Sequence, residues 1–179
     1  SISMTVILGI GLAPLPIQIL WLKLVTDGVT DIALATEKPH KGVLNQPPVP
    51  KEAGIIGRRE VVLSLIIGLV MALIAGGLFL YFYHDIEKAR SIAFTAMVFT
   101  QIFNVLNMRS LSRPIWEIGY FTNRAVNISI VISIVLFFSA MSIPLIRDLF
   151  QFKSLTILEI FTVVIVSSFV LWFGELFKL

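Results

Sequence analysis

The chain has 179 residues, of which 57% are hydrophobic and 14% charged, and its mean hydropathy is +0.94; soluble domains carry about 25% charged residues, so water is not its main solvent. The net charge of +3 comes from 14 Lys and Arg residues scattered along the chain, with no basic run suited to nucleic acid. With no cysteine, disulfides, thiolate metal sites and cysteine nucleophiles are excluded.

A bilayer core about 30 Å thick requires roughly 20 mostly apolar residues per helix. The chain therefore reads as an all-α, polytopic transmembrane bundle of about five full spans plus the end of a sixth, forming one membrane domain over residues 1–179. Residues 1–12 are apolar but too short to span, and Pro14 and Pro16 end them. They read as the last turns of a helix in a piece cut from a longer chain, with no charged leader before them. Residues 17–35 form the next span, which carries Lys23, Asp27 and Asp31. Residues 37–60 hold Pro47, Pro48 and Pro50 and read as an extended loop.

Residues 61–83 are a clean span in which Gly68, Ala72 and Gly76 recur every four residues, the spacing that lets helix backbones approach closely. After a polar turn at 84–90, residues 91–106 span again, with Thr100, Gln101, Asn104 and Asn107 concentrated toward the end. Residues 108–124 form a second loop, where Trp116, Tyr120 and Phe121 alternate with polar residues as expected at a membrane interface. Spans at 125–143 and 155–173 complete the bundle, followed by Glu175 and Lys178. Nine basic residues fall in the long loops and tail, against Lys88, Arg90, Arg147 and Lys153 on the other side, which predicts a cytoplasmic C-terminus.

An Asp, Lys or Arg at the centre of a membrane helix costs about 2.5 to 3.5 kcal/mol on insertion scales, so the three in span 17–35 must face protein or water. Lys23, Asp27 and Asp31 are spaced i, i+4, i+8, which on a regular helix places them on one face and lets Lys23 pair with Asp27. Such a stripe suits ion handling; the plainer reading is a neutralised packing pair, with Asp31 reaching the membrane boundary. Gly28 would permit local unwinding that frees backbone carbonyls for a cation. Gln101 and Asn104 could supply neutral oxygen ligands, which hard cations prefer, or simply hydrogen-bond between helices. Glu159 reads as interfacial, and Trp21 and Trp172 as packing or belt residues.

These residues carry a resemblance. The stretch from Pro16 through Trp21 and Lys23 to Thr26-Asp27-Gly28 resembles the sixth transmembrane helix of type II P-type cation-transporting ATPases, the calcium-pump group. The loop containing Asn45-Gln-Pro-Pro-Val-Pro-Lys-Glu52 is similar to the loop that follows it there. Asn104-Val-Leu-Asn107-Met-Arg109-Ser110 resembles the end of the eighth helix, and Glu175-Leu-Phe-Lys178 the finish of the tenth. The likeness covers essentially the whole chain, from the end of the fifth helix through the tenth.

The resemblance implies an ion pathway coupled to hydrolysis of ATP, with Mg2+, in upstream cytoplasmic domains of the same pump. The chain holds no Asp-Lys-Thr-Gly-Thr phosphorylation motif, Thr-Gly-Glu motif or nucleotide-binding segment, so this segment alone is expected not to hydrolyse ATP. No catalytic or cofactor-binding residue is assigned to it. By the resemblance, Thr26 and Asp27 match the cation-coordinating Thr-Asp pair, and Gln101 stands where some calcium pumps carry Glu and others Gln. Lys23 departs from the pattern, replacing the Asn of calcium pumps or the Asp of sodium/potassium pumps, and Ser1 to Thr5 bring no carboxylate. A lysine there reads as a built-in counter-charge, leaving Asp27 to exchange a proton or hold one cation, so the transported ion is calcium, a proton or another cation. Two other readings remain open from the residues: a secondary transporter, against which the absence of inverted repeats counts, and a non-transporting membrane scaffold.

Overall fold

The structure, a computed structural model, describes residues 16–37, 57–110 and 113–178. The expected helix end at 1–12 and most of the proline-rich loop lie outside the described residues. Residues 16–34 wind without a break as α1 (Pro16–Trp21), a π-helical segment (Leu22–Asp27) and α2 (Gly28–Leu34). There follow α3 (Arg58–Tyr81), α4 (Ile86–Met108), the single turn α5 (Ile115–Ile118), α6 (Arg124–Ser142), the short α7 (Pro144–Leu149) and α8 (Ile157–Leu176). No strand occurs among the described residues.

Four of these helices are long and apolar enough to cross a bilayer: residues 60–81 of α3, and α4, α6 and α8. The winding of residues 16–34 adds a fifth membrane-length stretch, so the described part matches the expected all-α bundle. Its centre is α4. The mean hydropathy of α4 is 1.4, the lowest of the four, yet 67% of its most apolar 18 residues are buried, against 22–28% in the others. The order is what a lipid solvent demands: the helix wrapped in protein tolerates polar side chains, while helices facing lipid must be apolar all round. Accordingly Ser91, Thr95, Thr100 and Asn107 of α4 are buried. The hydroxyls of Thr95 and Thr100 donate to the carbonyls of Ser91 and Ala96 one turn back, each at 2.7 Å.

Helix limits differ from the hydropathy reading where side chains cap them. The polar turn expected at 84–90 is shorter, because the Asp85 carboxylate accepts the Lys88 backbone N–H at 3.1 Å and starts α4 at Ile86. Asn123 caps α6 through the N–H groups of Ala125 and Val126. Thr156 and Glu159 form a reciprocal capping box on α8. Glu159, in the first turn of α8, also pairs with Lys88. The loop expected at 108–124 contains the turn α5, with Trp116 and Phe121 exposed on it. The small-residue stripe of α3 is engaged only in part: Gly76 is buried, Ala72 half-buried, and nothing among the described residues lies within 4 Å of a side chain built at Gly68.

The close approach that does require glycine is on α8. A Cβ at Gly174 would lie 2.4 Å from Asn107 Nδ2, so only glycine admits the Asn107 side chain, which donates to the Val170 carbonyl at 2.9 Å. Glu175 and Lys178, expected simply to follow the last span, form a buried ion pair at this seam. Lys178 Nζ donates to Glu175 Oε1 at 2.6 Å and to the Asn107 carbonyl at 2.9 Å, and Glu175 Oε2 accepts the Ile115 N–H at 2.7 Å. Three elements therefore meet on one ion pair. On the far side of α4, Phe94, Phe137, Phe150 and Phe152 form an aromatic core joined by Trp21, whose ring meets Phe150 edge-on at 5.3 Å.

Removing one partner of a buried ion pair leaves the other uncompensated and costs about 3 to 5 kcal/mol. Lys178→Met should lower stability by that order in a denaturation series in detergent, and adding Glu175→Gln should recover part of the loss. At the opposite end of the bundle, exposed Asp85 and Lys153 pair between helices. Hydrogen bonds from Lys153, then from the Lys88 backbone, hold the Asp85 carboxyl below its ordinary value of 3.8, and Asp85 raises Lys153 above 10.5. The Asp85 contribution is present above the ordinary carboxylate value and is lost as pH falls through the depressed one. The difference in melting temperature between the unaltered chain and Asp85→Asn should thus hold from neutral pH down to about pH 4 and shrink below it.

Candidate cation site

Lys23 and Asp27 lie in the π-helical segment and meet directly. Lys23 Nζ donates to Asp27 Oδ2 at 2.7 Å, with the lysine side chain largely exposed at 71% and the aspartate mostly covered at 17%. A π turn closes from residue i to i+5, as in the bond from the Gly28 N–H to the Lys23 carbonyl. The extra residue displaces everything after it by about 100° relative to a regular α-helix. Within this stretch Lys23 and Asp27 pair directly, and Asp31 follows one turn later, exposed in α2.

Gly28 does not unwind as expected. Its φ and ψ of −59° and −45° are helical, and the irregularity is the widened turn before it. A side chain built there would meet the Lys23 carbonyl at an ordinary 3.5 Å, so local packing does not demand glycine. The carbonyls of Thr26 and Asp27 are covered by the Thr30 hydroxyl, which donates to them at 2.6 and 3.1 Å. Thr26 itself is buried.

The pair opens on a cavity of about 370 Å³ between residues 16–34, α3 and α4. Lys23, Asp27, Thr100 and Gln101 form its polar lining, and Met71 and Met97 part of its apolar wall. Of the residues expected at the site, the fold thus brings Lys23, Asp27 and Gln101 to one cavity and leaves Thr26, Asp31 and Asn104 off its lining. Asn104 lies one turn beyond Gln101, and its Oδ1 is buried without a hydrogen-bond partner among the described residues. Thr100, which in sequence is one of several polar residues toward the end of its span, also lines the cavity. Its hydroxyl hydrogen is shared between the carbonyls of Ala96 and Met97, leaving the oxygen as an acceptor at the cavity.

One carboxylate, one amide and one hydroxyl are hard oxygen donors, and the Lys23 ammonium cancels the carboxylate charge. Calcium takes 6 to 8 oxygens. No group of three or more His, Asp or Glu converges among the described residues, so they provide part of such a shell.

Sequence reasoning also missed the junction below the site. Arg109, directly after α4, has a fully buried side chain that donates through Nε and Nη2 to the two Glu37 oxygens at 3.0 and 3.1 Å. Its position in a polar loop gave no signal of burial.

Residues 12–179 match the family model described as Cation transporting ATPase, C-terminus. The calcium-transporting ATPase type 2C member 2 of Rattus norvegicus is 32% identical over 171 residues, covering 90% of this chain and 18% of that protein. The calcium-transporting ATPase 1 of Bacillus cereus is 28% identical over 197 residues, covering 100% of this chain and 22% of its own length. In Yarrowia lipolytica the protein of the same name is 26% identical over 173 residues, covering 93% and 18%. The chain spans about a fifth of the length of these relatives. With its apolar helices and a match over nearly its whole length, this chain is a multi-pass membrane protein and belongs to the family of cation transporting ATPase C-termini.

Proposed function

We propose that this chain is the ion-translocation domain of an ATP-driven P-type cation pump and acts as one membrane domain over residues 1–179. The observation that carries the reading is the Lys23–Asp27 ion pair, set inside a membrane-length stretch and open to a cavity shared with Gln101. Ionisable residues within a membrane-length stretch are costly, and their presence there marks a functional site by default. The relatives are named as calcium-transporting ATPases, which makes calcium the first ion to test. ATP and Mg2+ would be bound by upstream cytoplasmic domains of the same pump, and those domains and its remaining helices are this chain's partners, together with the bilayer. The distribution of Lys and Arg favours a cytoplasmic C-terminus.

In this reading Asp27 is the charged ligand, Gln101 and Thr100 add neutral oxygens at the cavity, and Thr26, Asn104, Gly28 and Asp31 border the pathway. Without a cation, Lys23 neutralises Asp27 and keeps the carboxylate from standing alone in a low dielectric. An arriving cation must displace the ammonium, whose flexible four-carbon stem lets it swing away without moving the helix. A divalent ion would then meet a site one charge more positive than one with Asn at position 23. Lys23 thereby biases the site toward a monovalent ion, a proton or a single calcium.

The test is ATP hydrolysis by the intact parent pump in proteoliposomes, with calcium, manganese, sodium, potassium and pH varied one at a time. Asp27→Asn should lower cation-stimulated turnover by about 30-fold or more, the equivalent of about 2 kcal/mol. Lys23→Asn should change which cation stimulates or how many move per ATP; unchanged transport would remove the counter-charge role. A scaffold would tolerate both substitutions.

A further inference from the structure

Glu37 is not a free loop residue. The backbone stays wound past Leu34: the N–H groups of Ala35, Thr36 and Glu37 donate to Asp31, Ala33 and Leu34, and the Thr36 hydroxyl also binds the Ala33 carbonyl. Glu37 therefore moves with α2 and, through it, with Asp27 ten residues earlier. Arg109 stands in the same relation to α4, one residue past its end and eight beyond Gln101, a rise of about 12 Å along a helix.

The guanidinium holds these two ends together. Besides the fork onto Glu37, Nη1 donates to the carbonyls of Gly119 and Tyr120 at 2.9 and 3.1 Å, and Nη2 to the Thr122 hydroxyl at 2.6 Å. Asn123, the cap of α6, donates to the same Glu37 carboxylate at 2.9 Å. Gly119 has a φ of +88°, a backbone conformation in which other residues are strained, and its carbonyl accepts from Arg109. The far end of the same winding is fixed by buried Gln18, whose Nε2 donates to the Phe150 carbonyl at 2.8 Å. Residues 16–34 are thus pinned at both ends, with the π turn and the Lys23–Asp27 pair between the pins.

We infer that Glu37 and Arg109 are positioning residues for the cation site: their forked ion pair sets the register of Asp27 against Gln101. The inference rests on the transport reading above. Neither residue touches the cavity, so both act through the helices that they join. A planar fork with two parallel hydrogen bonds fixes both distance and angle, which a lysine point charge cannot do. Misplacing a positioned ligand by about 1 Å is enough to cost orders of magnitude in function. The half-saturating cation concentration should therefore change more than the maximal rate.

The experiment uses the full-length pump in proteoliposomes, titrated with calcium and, if calcium does not stimulate it, with manganese or protons. Arg109→Lys and Glu37→Gln are each expected to raise half-saturation about ten-fold, with maximal turnover held within about two-fold, and the double variant should be no worse than the poorer single one. Thermal stability in detergent is measured alongside. If Arg109→Lys is not recovered folded, the nearly isosteric Glu37→Gln decides. A fall in stability with half-saturation unchanged would overturn the inference, reducing the pair to a structural brace, as would failure of both variants to reach the membrane intact. If the unaltered pump transports and both variants match it, the inference alone falls; if the unaltered pump responds to no cation, the transport reading falls and the inference with it.

Discussion

A bilayer core offers an ionisable side chain no water to fall back on, so a charge held at that depth needs a partner from the protein. Three of the ion pairs in the described structure lie within or join the elements around the site. Glu175 and Lys178 close the end of α8 onto α4 and α5; Arg109 and Glu37 close the end of α2 onto α4; and Lys23 and Asp27 meet at the cavity. The first two are buried inside protein, where additional hydrogen bonds satisfy the remaining donors and acceptors, which is the condition for a buried ion pair to hold. The third has no such surround among the described residues, and its lysine is largely exposed. That difference separates the two pairs that brace the fold from the one suited to ion handling.

Helix α4 is the common element. It packs on α8 through Asn107 and the gap left at Gly174, supplies Phe94 to the aromatic core, lines the cavity with Thr100 and Gln101, and ends at Arg109. Apolar contact alone does not drive helices together in lipid, because the tails are as apolar as leucine. Close backbone approach and polar contacts must do so, and α4 concentrates both. Its low hydropathy and deep burial are two sides of one cause.

The π-helical segment contributes the charged pair to the cavity wall. Lys23 and Asp27, both within it, meet at 2.7 Å, and Asp31 lies exposed in the regular turns that follow. Because the winding is held at Gln18 and again at Glu37, the extra residue is confined between fixed ends. Irregular backbone at membrane depth is tolerated where it is covered by protein or lines a cavity, and here it does the latter.

Much of the fold could be read from residues 57–178 without coordinates, because period and hydropathy alone distinguish membrane helices from their connections. The helix ends could not: Asp85 and Glu175 belong to a cap and a helix end that hydropathy assigns to loops, since a charged residue that is hydrogen-bonded looks the same in sequence as one that is solvated. At the site, the i, i+4 spacing sufficed for the Lys23–Asp27 contact, as a local property of one helix. Which neighbours join it was not local. That Gln101 shares the cavity while Asn104 lies off its lining, and that Arg109 is buried against Glu37 72 residues away, follow from how helices distant in the chain pack. The sequence by itself determined the solvent, the helices and the charged pair; only the tertiary structure decided which charges are braced by protein and which one faces the cavity, because burial and hydrogen-bond satisfaction depend on groups brought together from distant parts of the chain.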